Sequence, residues 1–272
     1  MTTFLFWNLN RKPIQHLIAA LAAEHDVDVL ILAECNIPLA ALLVALNDDQ
    51  DEKYSVPFSL SERLLVLSRF PPQSIRPLFE DAYLSIRSLK PPVGIEILLV
   101  AAHLPSKRYQ EGKDQALTAT RIARMIEDQE RDVGHTRTLV VGDLNMNPFE
   151  SGVVGAEALH AVLDKKTALK VSRVVAQKRR QYFYNPMWGR LGDGSQGPPG
   201  TYYRQSSRQI NYFWNTFDQI LLRPELISRF EEKNFAVLTV VGHMPLVNSV
   251  GIPNKRLASD HLPVLFRLNL QD

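Results

Sequence analysis

Carboxylate, amide and imidazole side chains occur in this chain at the ends of apolar runs that read as β-strands. One group follows such runs and a second group precedes them. The first group is Asn8, Glu34, His103 and Asp143, and the second group is Asp218, Asp260 and His261. Side chains of these types hold hard divalent cations, bind phosphate and take protons from water. Their repeated placement predicts one active site that is built from several strand ends.

The order of these residues also constrains the directions of the strands. The members of the first group end their strands, whereas the members of the second group begin theirs. All seven side chains meet at one sheet edge only if the last two strands run opposite to the first four. The pattern therefore predicts mixed or antiparallel sheets, in contrast to the all-parallel sheet of doubly wound folds.

Apolar periodicity predicts the elements that position these side chains. The 45% hydrophobic content supports a sizeable core. The motifs run from end to end without a low-complexity linker, so we expect a single domain over residues 1–272. Predicted strands cover residues 3–9, 27–33, 63–68, 82–88, 95–102, 138–142, 217–222, 235–241 and 263–269, and predicted helices cover 14–21, 38–47 and 113–131.

In this order the motifs resemble the endonuclease/exonuclease/phosphatase superfamily, which includes pancreatic-type DNases, AP endonucleases, inositol polyphosphate phosphatases and neutral sphingomyelinases. The resemblance extends from Trp7-Asn8 to Ser259-Asp260-His261, and Gly142-Asp143-Leu144-Asn145 is among its most specific parts. It implies an α/β four-layer sandwich in which helices flank two packed mixed or antiparallel sheets. The chain departs from the pattern at Asn10, where many nuclease members have Asp, and Asn at this position is similar to the phosphatase branch.

Several site residues are candidates for metal binding and proton transfer. Glu34 is the first candidate for a metal ligand, because it leaves an apolar strand and has no neighbouring residue in the sequence that neutralises it. Asp260 and Asn8 are the other expected ligands, and such hard oxygen donors favour Mg²⁺ or Mn²⁺. His261 is the candidate general base, because an imidazole takes up a proton near neutral pH.

The resemblance implies the roles of the other catalytic side chains. Asp218 is similar to the residue that orients the histidine base, and His103 is similar to a histidine that donates to a phosphate oxygen. Asp143 is expected to orient the attacking water or to assist the leaving group. Asn145 lies two residues further on, on the same face if the segment is extended, and is expected to donate to phosphate. The alternative for Asn145 is turn formation, and Asn10 is expected to contact substrate.

The charge of the chain is concentrated in one segment. Residues 165–215 contain ten Lys and Arg residues against the single acidic Asp193, which gives a net charge of +9, whereas the whole chain carries +2. The segment 165–216 is also rich in aromatic residues. Cations bind phosphates and aromatic faces stack on bases, so this segment is predicted to bind nucleic acid, and a solvated helix face is the alternative. The predicted substrate-binding residues are Lys178, Arg179, Arg180, Trp188, Tyr203 and Arg204.

Composition excludes several other classes of protein. Cys35 is the only cysteine, so an intrachain disulfide and a thiolate zinc cluster are excluded. The first residues lack the basic region of a signal peptide, and no apolar stretch has the length of a membrane span. These features predict a cytoplasmic location.

Three functions remain open from the sequence. The first is a metal-dependent phosphoesterase that cleaves nucleic acid, with water activated by His261. The second is a phosphatase or phosphodiesterase acting on inositol phosphates or phospholipid head groups, although the Cys-Asp-Arg signature of inositol phosphatases is not present in the sequence. The third is a non-catalytic module that binds nucleic acid. The retention of Glu34, Asp143, Asp218 and His261 favours the enzymes over the module.

Overall fold

The computed structural model describes residues 1–48, 53–61, 63–107, 112–194, 196–207 and 209–271. Ser195 and Arg208 of the basic segment therefore lie outside the described residues. The strands, in chain order, are β1 (Thr2–Asn8), β2 (Val29–Ala33), β3 (Leu64–Ser68), β4 (Ile75–Glu80), β5 (Leu84–Leu89), β6 (Ile97–His103), β7 (Thr138–Asp143), β8 (Ala161–Val162), β9 (Ser172–Val175), β10 (Lys178–Gln181), β11 (Phe183–Tyr184), β12 (Tyr202–Tyr203), β13 (Trp214–Asn215), β14 (Asp218–Leu222), β15 (Phe230–Val237), β16 (Val240–Val241), β17 (Met244–Pro245) and β18 (Val264–Leu268).

Helices lie between the strands and differ widely in length. Three of them are long enough to cover a sheet, and these are the three helices that the sequence predicts. The helices are α1 (Gln15–Glu24), α2 (Leu39–Asn47), α3 (Gly112–Val133), α4 (Ser151–Val154), α5 (Lys165–Ala168) and α6 (Pro224–Ile227), with short 3-10 helices at Pro72–Ser74, Pro186–Arg190 and Gly192–Gly194.

Two large sheets form the centre of the molecule. The first has five strands in the order β15-β18-β1-β2-β3, and the second has seven strands in the order β4-β5-β6-β7-β14-β11-β8. In the first sheet β1 is parallel to β2 and antiparallel to β18, and in the second β7 is parallel to β6 and antiparallel to β14. Both sheets are therefore mixed, and the predicted reversal of β14 and β18 is confirmed.

Three apolar cores show how the layers pack. The central core joins the inner faces of the two sheets, for example Phe6 and Ile31 of the first with Leu99 and Val141 of the second. A second core joins the outer face of the first sheet to α1 and α2. A third core joins the outer face of the second sheet to α3. The result is the predicted four-layer sandwich of helix, sheet, sheet and helix.

Gly142 allows β6 and β7 to approach closely just before the predicted site. It pairs with Ala102 of β6 and has a φ of 156°. A Cβ atom at this position would lie 1.9 Å from the carbonyl oxygen of Ala102. Only glycine fits there, and its small size keeps His103 and Asp143 opposite each other at the ends of their strands.

Part of the basic segment forms a β-hairpin, in contrast to the solvated helix face that was the alternative from the sequence. β9 and β10 form an antiparallel hairpin, which we call the basic hairpin (residues 172–181), and Ala176 and Gln177 at its turn both have positive φ. Arg173 Nε donates to His160 Nε2 at 2.9 Å, which attaches the hairpin to the residue that precedes β8. The cationic run therefore lies on a hairpin strand. Among the described residues, no helix combines the length and the apolar character that a membrane crossing needs.

Candidate active site

The predicted catalytic side chains meet where the two sheets end on the same side. β1 delivers Asn8 from the first sheet, and β7 delivers Asp143 from the second. Asn8 Nδ2 donates to Asp143 Oδ2 at 3.0 Å, so these two side chains join the sheets across the central core. Both side chains are buried, and the hydrogen bond between them offsets part of the cost of removing these polar groups from water.

Asp218 and His261 form a close pair at this edge. Asp218 begins β14 and is fully buried, and its Oδ2 and Oδ1 lie 2.8 and 3.1 Å from His261 Nδ1. Burial by itself lowers the pKa of His261, but the charge and hydrogen bond of Asp218, with further contributions from Asp143 and Asp260, raise this pKa to about 10. Asp218 thus fixes the ring and leaves Nε2 directed toward Asp143, 3.9 Å from Asp143 Oδ2.

Hydrogen bonds between the β1 segment and the loop before β18 hold Asn8 and His261 close together. Trp7 Nε1 donates to the carbonyl oxygen of His261 at 2.9 Å, and Ser259 Oγ donates to the carbonyl oxygen of Asn8 at 2.6 Å. Ser259 Oγ also accepts from the backbone N–H of His261 at 3.2 Å. Ser259 and Trp7 therefore act as positioning residues between β1 and the loop before β18.

Asp143 is buried and its two carboxylate oxygens are both hydrogen-bonded. Oδ2 accepts from Asn8, and Oδ1 accepts from the backbone N–H of Asn145 at 2.8 Å. Burial raises the pKa of Asp143, the charge of His261 opposes this shift, and the charge of Asp218 adds to it. Asn145 has a φ of 50°, so the segment after β7 turns and the expected extended geometry is wrong. One amide hydrogen of Asn145 binds the carbonyl oxygen of Leu104 at 2.9 Å.

Glu34 and His103 face each other across the site. His103 Nε2 lies 3.4 Å from Glu34 Oε1, and this hydrogen bond lowers the pKa of Glu34 although partial burial opposes the shift. Arg11 Nε lies 3.8 Å from Glu34 Oε2. Glu34, Asn10 and Arg11 all have positive φ, with values of 49°, 46° and 59°. Such strained backbone is typical of functional sites, where surrounding structure holds it in place.

The oxygen donors at this edge suit a cation. Asp260 Oδ1 is buried and has no hydrogen-bond partner among the described residues, which leaves it available to a ligand. Ligand atoms of Asp143, Asp218 and His261 also lie within 4.8 Å of one another and could hold a metal ion. Both oxygens of Asp218 already contact His261 Nδ1, so the set around Glu34 and Asp260 fits a hard cation better. Asn8 Oδ1 accepts from the backbone N–H of Asn10 at 3.0 Å.

These side chains line a cleft of about 530 Å³. Its floor is acidic, and its walls carry the cations Arg11, Lys107 and Arg204. The ring of Tyr202 packs on His261, with centroids 4.6 Å apart, and is stacked on Phe217. The predicted site residues that the structure brings to this cleft or to its immediate support are Asn8, Asn10, Glu34, His103, Asp143, Asn145, Arg204, Asp218, Asp260 and His261.

Five of the predicted substrate-binding residues lie outside the cleft lining. Lys178, Arg179 and Arg180 are on the basic hairpin, where Arg180 forms an ion pair with Glu157. Trp188 packs on Phe149, and Tyr203 packs on Phe213 and Trp214. Tyr202 faces His261, whereas the predicted Tyr203 does not line the cleft. Neighbouring residues of a strand point to opposite sides, and the sequence alone does not show which side faces the cleft. The sequence analysis also missed Arg11, Lys107 and Tyr212.

Comparison with known proteins decides the family. A model of the Endonuclease/Exonuclease/phosphatase family matches residues 5–261. The chain belongs to this family. This match confirms the predicted resemblance. Members of the family are phosphoesterase hydrolases that depend on metal ions. None of the curated proteins that were compared with the chain matches its sequence significantly.

Solved structures of family members share the fold at low sequence identity. TDP2 of D. rerio, solved with a single-strand DNA product, is 15% identical, with 98% of each chain covered and a TM-score of 0.57. An AP endonuclease from Archaeoglobus fulgidus is 13% identical, with 99% of this chain and 100% of that chain covered and a TM-score of 0.58. The 3′ phosphatase NExo from Neisseria, bound to a product DNA hairpin, is 14% identical, with 99% and 100% covered and a TM-score of 0.55.

Proposed function

We propose that this protein hydrolyses phosphodiester bonds of nucleic acid with Mg²⁺ or Mn²⁺ as its cofactor. The observation that carries the proposal is the pair formed by His261, which lines the cleft, and the buried Asp218 behind it. Asp218 binds Nδ1 of the His261 imidazole, while Nε2 faces Asp143. Acidic and amide side chains surround the imidazole in the cleft. A histidine that is oriented in this way by a buried carboxylate is suited to general-base catalysis.

In the proposed reaction, water attacks phosphorus in line with the leaving oxygen. The new O–P bond forms as the bond to the leaving oxygen breaks, and the proton of the water passes to His261 Nε2. Asp218 stabilises the imidazolium that results. Asp143 lies 3.9 Å from His261 Nε2 and orients the water, while His103 and Asn145 donate to phosphate oxygens.

Glu34 and Asp260 would hold the cation, with Asn8 as the third predicted ligand. The buried Oδ1 of Asp260 and the hard oxygen character of the set support this assignment. When bound, the cation supplies positive charge that offsets the developing charge on phosphate and part of the carboxylate charge around His261. The second effect matters because those carboxylates raise the pKa of His261 to about 10, which holds a proton on the base.

Nucleic acid is the proposed substrate class because of the charges outside the acidic floor. Arg11, Lys107 and Arg204 line the cleft walls, and the basic hairpin adds Lys178 and Arg179 on the exposed surface. Several cations, in the cleft and on the hairpin, suit a ligand with several phosphates. Two structural relatives, TDP2 and NExo, were solved with bound DNA, which agrees with this choice. We further propose that residues 1–272 act as one cytoplasmic domain.

A substrate panel tests the proposal. The purified protein is assayed on single-stranded DNA, duplex DNA, RNA, inositol phosphates and a phospholipid head group, each with Mg²⁺, Mn²⁺ or EDTA. We expect metal-dependent cleavage of at least one nucleic acid and loss of that cleavage in His261→Ala. If only the small phosphates are turned over, the protein is a phosphatase and the nuclease proposal is wrong. If nucleic acid binds but no metal-dependent product forms, the protein is a non-catalytic binding module.

A further inference from the structure

Three aromatic side chains form a row that leads out of the cleft along the protein surface. Tyr212 lines the cleft and is 55% exposed, and Phe149 beside it is 39% exposed. Their ring centroids are 5.3 Å apart and their planes meet edge to face at 68°. Trp188, which is half-buried, continues the row with its centroid 6.4 Å from that of Phe149. We call these three residues the aromatic row.

The turn that carries Phe149 is held firmly to the active site. Asn147 Nδ2 donates to Asn215 Oδ1 at 3.0 Å, which fastens the turn to the segment that follows Tyr212. Glu150 Oε1 accepts from the backbone N–H of Asn147 at 2.9 Å and forms an ion pair with Lys107. The turn is thus fixed from both sides, which holds Phe149 beside the cleft.

Exposure of this size needs an explanation, because the rings do not belong to the cores. The three cores contain other side chains of the sheets and long helices, and Phe149 and Tyr212 are in none of them. Large aromatic rings on a rigid surface bind flat ligands at a small cost in side-chain entropy. Arg204 and Lys107 in the same cleft would bind the phosphates that accompany such a ligand.

We propose that the aromatic row is a stacking surface for the nucleobases of a single-stranded nucleic acid whose cleaved phosphate lies beside His261. This proposal rests on the proposed nuclease function and specifies its substrate. A ring stacks only on a base that has left its neighbours, so the row selects single strands, unpaired ends and flaps over intact duplex. Stacking tolerates any sequence because every base has a flat face.

The test compares two single strands of equal length and equal charge. One is an oligodeoxythymidylate, and the other has the same phosphates with tetrahydrofuran in place of every nucleoside, so it carries no bases. Binding is measured by fluorescence anisotropy in EDTA, and cleavage is measured in parallel with Mg²⁺. We expect tighter binding of the strand with bases, and we expect Phe149→Leu and Tyr212→Leu each to weaken that binding by about 5- to 100-fold while the base-free strand is unaffected.

Two further variants make the result specific. Tyr212→Phe keeps the ring and is expected to retain the preference for bases. Phe58→Leu is the matched control, since Phe58 is 69% exposed and is not among the described residues that line the cleft. Equal binding of both strands, or an unchanged preference in Phe149→Leu and Tyr212→Leu, overturns the stacking surface even where Mg²⁺-dependent cleavage persists. Absence of both binding and cleavage overturns the proposed nuclease function as well.

Discussion

The strand-end site and the basic hairpin are held in the protein in very different ways. At the strand ends, Asp143 and Asp218 are buried and each makes hydrogen bonds to other site residues. On the hairpin, Lys178 and Arg179 are exposed, and the apolar Val174 beside them is 64% exposed. The first region is part of the core packing, whereas the second is attached at the sheet edge.

This difference in burial and hydrogen bonding predicts different roles for the two regions. Side chains that are fixed by buried hydrogen bonds keep the precise geometry that chemistry requires. Exposed cations on a hairpin contribute attraction that depends on salt and not on exact position. Changes at the strand ends should therefore alter turnover, and changes on the hairpin should alter affinity only.

Removal of the metal should have the largest effect, and it should act on the strand-end site alone. We expect EDTA to abolish cleavage and Mg²⁺ or Mn²⁺ to restore it, because the site offers hard oxygen ligands. Glu34→Gln should raise the Mg²⁺ concentration that half-maximal activity requires, as measured by a metal titration of the initial rate. Normal turnover by Glu34→Gln at limiting Mg²⁺ would remove Glu34 from the ligand role.

Loss of the proposed base, His261, should have the next largest effect. His261→Ala should lower kcat on the order of a hundredfold or more, because a positioned general base contributes on that scale. Asp218→Asn should give part of this loss, since the His261 imidazole keeps a side chain beside Nδ1 but loses the carboxylate charge that orients it. Steady-state kinetics separate the possibilities, and a change confined to KM would make His261 a substrate-binding residue and contradict the proposed pair.

Gly142→Ala tests whether the strand ends depend on close packing. The added Cβ would meet the carbonyl oxygen of Ala102 at 1.9 Å, so β6 and β7 must separate. We expect the free energy of unfolding, measured in urea, to fall by about 1–3 kcal/mol and the activity to fall with it. Gly189→Ala is the matched control, because a Cβ at Gly189 has no neighbour within 4 Å among the described residues. Equal stability of the two variants would contradict the close approach.

Neutral substitutions of cationic side chains should show whether the cleft and the hairpin both contribute to nucleic-acid binding. Arg204→Gln in the cleft should weaken nucleic-acid binding and reduce the log–log salt slope by roughly one unit if it contacts a phosphate. The pair Lys178→Gln and Arg179→Gln should weaken binding of all sequences equally and leave kcat unchanged. Arg131→Gln on α3 serves as a surface control. An unchanged salt slope with normal turnover would exclude the hairpin from the nucleic-acid surface.

The smallest effect concerns the attachment of the hairpin. Burial, with the charge of Arg173 acting in the same direction, lowers the pKa of His160 below its ordinary value of 6.5. The unfolded chain therefore takes up this proton at a higher pH than the folded chain, and stability falls as the pH drops below 6.5. A protonated His160 also cannot accept from Arg173 Nε. We expect faster hydrogen exchange of the hairpin amides at pH 5 than at pH 7, after correction for intrinsic rates, and His160→Asn should remove this change. Identical protection at both pH values would contradict it.

The strand-end site was predictable because its signal is repeated. Apolar runs such as the one before Glu34 locate strands, and the side of the run on which the polar residue lies gives the strand direction. This reasoning predicts that Asn8, Asp143 and His261 lie together, and the four-layer sandwich follows from the family resemblance.

The remaining features depend on information that single residues do not carry. The basic hairpin turns at Ala176-Gln177, although residues of these types rarely adopt positive φ, so the turn has no sequence signal. The aromatic row combines Phe149 with residues far along the chain, and only tertiary packing brings them together. The left-handed conformation of Asn145 agrees with the turn alternative that the sequence left open, since Asn adopts positive φ more readily than most residues.

The hydrogen bonds between Trp7 and His261 and between Ser259 and Asn8 have a consequence for how the protein is made. The site requires residues near both ends of the chain, and β18 lies beside β1 at the centre of its sheet. Trp7 and His261 must therefore both be synthesised before the proposed base can meet its partners, and contacts over such a sequence distance are slow to form. A nascent fragment that stops before Ser259 lacks His261 and the hydrogen bond from Ser259 to Asn8, so the proposed hydrolytic centre can form only after this segment has been synthesised.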